Sequence, residues 1–370
     1  MNLFIRAIAL AALTLSSASA FAATCTPTRE ATTLALPGFN SPAEIVTPPR
    51  GRPHRGLILL FAGSDVADLD GAVEGRGDVI VSRPLRQMAD RLACAGFASF
   101  RYNKRFVTGP MSADRSKFDV LNGPDLAADG RAALAFARGR PALATLPVGL
   151  VGWSEGTTVA LAVAAQEPAV RALVLMAPVV ETSARVAQVQ YGRIGKPYLA
   201  RYATDGALDA AAVARADAGP GGVLSHIFVR MFRGFRPGEL INPLLDTNKD
   251  GRISFAEADP IIASWYADGP DSGLGISSSA RALKRLAKAF GPATPPILIL
   301  QGMNDSMIDP APAQAFAARP AGPNRIRLIS YPGLGHSLGL ASSAQEDELL
   351  AVADKPLDDM ATWLRQKMRR

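Results

Sequence analysis

The chain has 370 residues, 40 Lys and Arg against 33 Asp and Glu for a formal net charge of +7, and 48% apolar residues with few aromatics. Composition of this kind supports a buried core and excludes a disordered chain. The basic excess is scattered, dense only in RALKRLAK and the terminal KMRR, which indicates a solvated surface and excludes a nucleic-acid-binding stripe.

The first residues read MNLFIRAIALAALTLSSASAFAATC, with one early charge at Arg6, an apolar run from Ala7 to Leu15, and then small residues. Ala18-Ser19-Ala20 and Ala20-Phe21-Ala22 both offer a cleavage site, so residues 1–23 are predicted to be a secretory signal peptide. Thr24 before Cys25 argues against a lipid-anchored cysteine. No later apolar run is long enough to cross a bilayer, and the expected protein is soluble and periplasmic or secreted. Of the two cysteines, Cys94 lies in the helical pattern RQMADRLACAGF. Export permits a disulfide to Cys25, whereas a small buried thiol is the equally open alternative.

The stretch up to Arg55, rich in Pro and Thr, suits one or two antiparallel edge strands. Beyond it, Gly56–Phe61, Phe97–Tyr102, Val148–Val151, Ala172–Met176, Ile297–Leu300 and Ile326–Tyr331 are short, mostly continuous apolar runs. Such runs are expected of parallel strands covered on both faces. Helical patterns alternate with them at Pro84–Ala95, Gly123–Arg138, Gly156–Gln166 and Pro312–Ala318, and a last amphipathic helix is predicted over Ser343–Lys367. The alternation predicts an α/β, doubly wound, mostly parallel sheet. From Val180 to Gly291 no sheet strand is evident and no internal repeat appears. The expected organisation is a core over residues 24–180 and 292–370, interrupted by a mainly helical cap over 181–291.

Gly152-Trp153-Ser154-Glu155-Gly156 follows one strand pattern and opens a helix, the context in which G-x-S-x-G exposes a serine hydroxyl on a strained turn. A serine needs a base, and the base needs an orienting acid. His336 lies in the loop YPGLGHSLG after the last strand pattern. His54 precedes the first core strand, and His226 sits in the insertion pattern VLSHIFVRMF, a structural, surface or substrate-contacting position. The acid is expected at Asp305, just past the end of Ile297–Leu300. Asp309 competes, four residues on and next to Pro310.

The order serine, acid, histidine resembles that of the α/β-hydrolases, and three further stretches strengthen the likeness. LLFAGSDVADLDG resembles the loop that supplies the family's oxyanion hole, with Ala62-Gly63 where many relatives have His-Gly. RYNKR resembles R-Y-D-K-R, with Asn103 replacing the acid. GMNDSMIDP resembles G-x-x-D-x-x-V-x-P, which again selects Asp305. The resemblance implies acyl transfer to water: Ser154 as nucleophile, His336 as base and Asp305 as its orienter. It also implies an oxyanion hole made of the backbone N–H groups of Glu155 and Ser64, with Gly63 as the fallback.

Residues Asp246–Glu257, DTNKDGRISFAE, match D-x-[DN]-x-[DN]-G-x5-E at every constrained position and resemble an EF-hand calcium loop. Asp246, Asn248 and Asp250 stand at positions one, three and five, and the Arg252 carbonyl at seven. Ser254 acts through water at nine, and Glu257 supplies two oxygens at twelve. Gly251 takes the sharp turn and Ile253 the apolar eighth place. Pro243 and Pro260 suggest short or bent flanking helices. No second loop is evident: DVADLDG would put Val66 first and Gly77 twelfth. A lone loop outside the cell suits a structural calcium in the cap better than a switch.

The sequence therefore predicts an exported serine hydrolase acting on a small-molecule acyl substrate, a carboxylic ester by default, with structural Ca2+ and no organic cofactor. A peptidase or thioesterase is the alternative chemistry. A calcium-dependent binding protein on an inactive scaffold is the alternative of another class.

Overall fold

A computed structural model describes residues 25–234, 236–266, 295–318 and 325–369. The leader, the RALKRLAK run, the end of the cap and Arg370 lie outside these residues.

Eight strands form one sheet: β1 (Thr28–Leu36), β2 (Phe39–Thr47), β3 (Leu57–Phe61), β4 (Ala98–Tyr102), β5 (Val148–Trp153), β6 (Val170–Met176), β7 (Ile297–Gly302) and β8 (Ile326–Tyr331). Their spatial order is β1-β2-β4-β3-β5-β6-β7-β8. The first two strands form an antiparallel hairpin, and β2 runs antiparallel to β4. From β4 through β8 every pairing is parallel. Every residue of β3, β4, β5 and β7 is buried, which explains why most of these strands read as continuous apolar runs; β4 buries Ser99 and Arg101, and β7 buries Gln301. The fold is the α/β-hydrolase fold.

Helices cover both faces. Ala133, Leu134 and Ala137 of α2 (Gly123–Arg138) and Ala160, Leu161 and Val163 of α3 (Gly156–Ala164) pack with Leu57, Leu59 and Phe61 on one face. On the other, α1 (Pro84–Cys94) and the final helix Asp354–Lys367 meet Ile58 and Leu60 through Met88, Leu92, Met360 and Leu364. Cys25 and Cys94 form a disulfide with their Cα atoms 5.8 Å apart, tying the start of β1 to the end of α1. Of the two states left open by the sequence, the bonded one is present. Among the described residues no helix is long and apolar enough to cross a membrane.

The cap enters after β6 and returns at β7. It comprises Ser183–Gln190, continued through a π-helical turn at Tyr191–Gly195 into Lys196–Ala200, then Ala210–Ala218, Val223–Arg233 and Phe255–Trp265. Its helices share an apolar core of their own around Ile194, Leu199, Phe228, Phe232, Ile253 and Ile262.

Two expectations need correction. The predicted helix over Ser343–Lys367 is helical only from Asp354; before it stands a single 3-10 turn at Ala344–Glu346 and an irregular strip. Asp347, Leu349 and Val352 face the interior there, so their burial serves the histidine loop and α1 rather than a helix face. The cap also contains a short antiparallel pair, Ala207–Asp209 with Arg252–Ser254, separate from the main sheet.

Candidate active site

Ser154 stands between β5 and α3 with a left-handed φ of 53°, strained for a residue with a side chain. Its N–H donates to the Met176 carbonyl at 2.9 Å, and its own carbonyl accepts the Thr157 N–H and hydroxyl. The flanking glycines are required by contact. A Cβ on Gly152 would lie 2.2 Å from the Gly156 carbonyl oxygen, and one on Gly156 would lie 2.2 Å from that of Phe61. The Ser154 hydroxyl is thereby presented at the end of the sheet.

Asp305 follows β7 and His336 follows β8, and the two strands pair in parallel, so their C-terminal loops are adjacent. His336 Nδ1 lies 3.0 and 3.1 Å from the two oxygens of Asp305, whose side chain is fully buried. The Met307 and Ile308 N–H groups and Gln301 Nε2 also donate to that carboxylate. Trp153 Nε1 donates to the His336 carbonyl at 3.1 Å and its ring packs on the imidazole. Burial pushes the imidazolium down, but the Asp305 and Asp347 carboxylates outweigh it and hold His336 above its ordinary value. The competing Asp309 instead caps the helix Pro310–Ala317 through the Ala311 N–H. His54 lines no part of the cavity on which Ser154 and His336 open; His226, on the cap helix Val223–Arg233, lines that cavity, with neither ring nitrogen hydrogen-bonded among the described residues.

The loop after β3 brings Gly63 and Ser64 over the serine: a Cβ on Gly63 would lie 3.4 Å from that of Ser154. Among the described residues no protein acceptor takes the N–H of Ser64 or of Glu155. The RYNKR run fixes this loop. Arg101 is bonded to Asp70, Glu44 and the Leu69 carbonyl, and Asn103 accepts the Leu69 N–H. Lys104 pairs with the Glu155 carboxylate, which is thereby turned from the nucleophile, and Arg105 pairs with Asp129. Sequence alone marked the run by likeness; its pairings required the fold.

Ser154, Glu155, Ser64 and His336 open on one cavity of about 550 Å³. The Val73–Ser82 hairpin supplies Glu74 and Arg76 to its wall, and the cap supplies Gln190, Leu224, Phe228 and Arg230. Asp347 was missed by sequence reasoning: it lies beneath His336, accepting its N–H at 2.8 Å.

The calcium-like loop lies in the cap, and none of its residues lines the cavity. Asp246 accepts the N–H groups of Asp250 and Gly251, and Asp250 accepts that of Arg252. Glu257 reaches back to the Thr247 hydroxyl and the Asn248 N–H with one oxygen and to Ser254 with the other. Those donors, Ser254 first, hold its carboxyl down to about 2. The oxygens are hard donors of the kind calcium takes, and the loop closes Glu257 onto its start. Among the described residues no three His, Cys, Asp or Glu side chains form a ready cluster. The helix Phe255–Trp265 runs on through Pro260, whereas a turn at Asn242–Leu245, not a helix, enters the loop.

The loop has a structural partner that carries no second ligand set. Leu208 pairs with Ile253, Ala207 with Ser254 and Asp209 with Arg252. Asp205-Gly206-Ala207-Leu208 repeats the Asp250-Gly251-Arg252-Ile253 pattern, and Asp209 caps the next helix as Ser254 caps its own. In that register the first, third and twelfth places are Arg201, Ala203 and Ala212, so the partner keeps the turn and lacks the ligands. A search by ligand chemistry passes over it.

No curated protein matches the chain. Among solved structures, a soluble variant of monoglyceride lipase from Saccharomyces cerevisiae aligns with TM-score 0.51 and 18% identity, over 93% of this chain and 96% of that one. An esterase of Pyrococcus furiosus aligns with TM-score 0.50 and 10% identity over 92% of each chain. DcsB in complex with its substrate analogue gives TM-score 0.50 and 16% identity over 92% of this chain and 100% of that one. At such identities the likeness concerns the fold alone. The model of the family described as serine aminopeptidase, S33, matches residues 75–340, and the chain belongs to that hydrolase family.

Proposed function

We propose that the protein is an exported serine hydrolase that cleaves an acyl bond, with carboxylic esters as its substrates. The observation that carries this is the buried Asp305–His336 pair opening, with the strained Ser154, on one cavity. Ser154 Oγ attacks the substrate carbonyl while His336 Nε2 takes its proton. Asp305 fixes the tautomer through Nδ1 and stabilises the imidazolium. The unbonded N–H groups of Ser64 and Glu155 receive the charge of the tetrahedral intermediate. His336 then returns the proton to the leaving alcohol, and water repeats the sequence on the acyl-enzyme.

A fluorophosphonate is expected to label Ser154, and Ser154→Ala is expected to lower ester hydrolysis by at least ~10⁴-fold. Equal turnover by Ser154→Ala overturns the mechanism. A second chemistry, removal of an N-terminal amino acid, is favoured by the family description and by Glu74, a cavity carboxylate with no ion-pair partner among the described residues. A panel of esters and aminoacyl amides separates the two.

Export is supported by the disulfide, since such bonds persist in oxidising compartments. N-terminal sequencing of mature protein starting after residue 23 tests it. Calcium is assigned to Asp246, Asn248, Asp250, the Arg252 carbonyl and Glu257, where it would fix the cap.

A further inference from the structure

Asp347 is a second interior carboxylate beside the Asp305–His336 pair, only 1% exposed. Its Oδ2 accepts three donors: the His336 N–H at 2.8 Å, and the Ser306 N–H and hydroxyl, each at 3.0 Å. Its Oδ1 takes the Leu349 N–H at 3.1 Å. Ser306 follows Asp305 in the chain, so one oxygen atom joins the acid loop to the histidine loop. The approach is close enough that a Cβ on Gly335 would lie 2.1 Å from Asp347 Oδ1.

The same strip carries the cap. The Asp347 carbonyl accepts the Val223 N–H at 3.1 Å, and the Gln345 carbonyl accepts the Gly222 N–H at 2.8 Å and the Ser225 hydroxyl at 2.7 Å. A Cβ on Gly222 would lie 2.3 Å from the Asp347 carbonyl oxygen. The helix Val223–Arg233, which lines the catalytic cavity, therefore starts on the residue that holds His336.

We propose that Asp347 is a positioning residue: its carboxylate fixes the main chain of His336 relative to Asp305, and its backbone seats the cap helix, so that cap placement and base placement form one unit. The inference rests on the functional reading in which His336 is the base. Asp347 touches no reacting atom and acts through His336. The carboxylates acting on His336 are Asp305 and Asp347; Asp347 in turn faces the Asp305 carboxylate and the His336 imidazole, with Glu348 next in the chain facing Asp347 and Arg76. Neutralising Asp347 removes one of the two charges that favour the imidazolium, so the base stays deprotonated to lower pH.

The test uses the full disulfide-bonded protein and a p-nitrophenyl ester, with folding followed by circular dichroism. Asp347→Asn is expected to lower kcat by ~10- to ~100-fold with little change in KM, because misplacing a reacting group by up to about 1 Å costs up to ~100-fold. It is also expected to move the acid limb of kcat/KM to lower pH, which a packing defect does not do. Gly222→Ala, which presses on Asp347 from the cap side, is expected to lower kcat several-fold with the limb in place. A folded Asp347→Asn with the wild-type kcat and acid limb overturns the proposal; should that variant not fold, wild-type kcat in Gly222→Ala overturns it. A wild type that hydrolyses no ester and takes no fluorophosphonate overturns the functional reading as well.

Discussion

Asn103 accepts the main-chain N–H of Leu69 at 2.8 Å and gives its own Nδ2 to the Val107 carbonyl at 2.9 Å. An amide can do both, whereas an ionised carboxylate accepts and never donates. An aspartate at this place would face the Val107 carbonyl with no proton between them. Asn103→Asp is expected to cost about 1–3 kcal/mol and to loosen the loop that carries Ser64. Thermal unfolding and kcat/KM for one ester check this; an unchanged melting midpoint counts against it.

Asp305 meets His336 through both carboxylate oxygens. Asp305→Asn keeps the shape and supplies an N–H where an acceptor is needed, which favours the wrong tautomer. A loss of ~10³- to ~10⁴-fold in kcat is expected, with KM nearly unchanged. Asp309→Asn, at a helix cap, is expected to cost at most about 1 kcal/mol of stability and no catalysis.

The pH dependence follows from the raised His336. The base works when neutral, so kcat/KM falls as pH drops through its folded pKa, with a midpoint above the ordinary 6.5. In the stability of the fold the sign reverses. A histidine raised on folding contributes fully below its unfolded pKa, and that contribution fades as pH rises through the folded pKa. Parallel kcat/KM and thermal-melt series, with His336→Gln as the reference for the melts, check both directions.

Lys104 and Glu155 are both buried and paired. Lys104→Met leaves the carboxylate without its cation and is expected to cost about 3–5 kcal/mol. Lys104→Met with Glu155→Leu removes both charges and is expected to recover most of that loss. Chemical denaturation of the single and double variants decides it. A double variant no better than the single one would show that Glu155 has a further partner.

Added calcium is expected to raise the melting midpoint of metal-free protein, since binding at 100 times Kd stabilises by about 2.7 kcal/mol. Glu257→Gln keeps the cap on Ser254 and removes the bidentate ligand, so the response should vanish. Calorimetric titration is expected to give one ion per chain, because the partner loop has Arg201, Ala203 and Ala212 at ligand places. Identical melts with and without calcium would remove the ion from the account.

Sequence patterns exposed the sheet where strands are buried on both faces, as in Leu57–Phe61 and Ile297–Leu300, because unbroken apolar runs are what such positions favour. Ser154, Asp305 and His336 stood out as candidates in the sequence because each follows a strand pattern within a recognisable motif; the parallel pairing of β7 and β8 is what brings Asp305 and His336 together. Asp347 was hidden for a physical reason. Its neighbours Leu349, Val352, Leu357 and Met360 mimic an amphipathic helix, and only the fold shows its carboxylate bent toward His336. Lys104 and Glu155, 51 positions apart, likewise carry no local signal of their pairing.

Arg76, on the hairpin over the cavity, donates to the Asp217 and Gly219 carbonyls of the cap at 2.9 and 3.1 Å. Both acceptors are uncharged, so this bridge across the rim is held by hydrogen bonds and feels ionic strength far less than an ion pair would. Admission of substrate between hairpin and cap should therefore be nearly indifferent to salt. It should instead quicken when Arg76 is shortened, most for substrates with the broadest acyl groups.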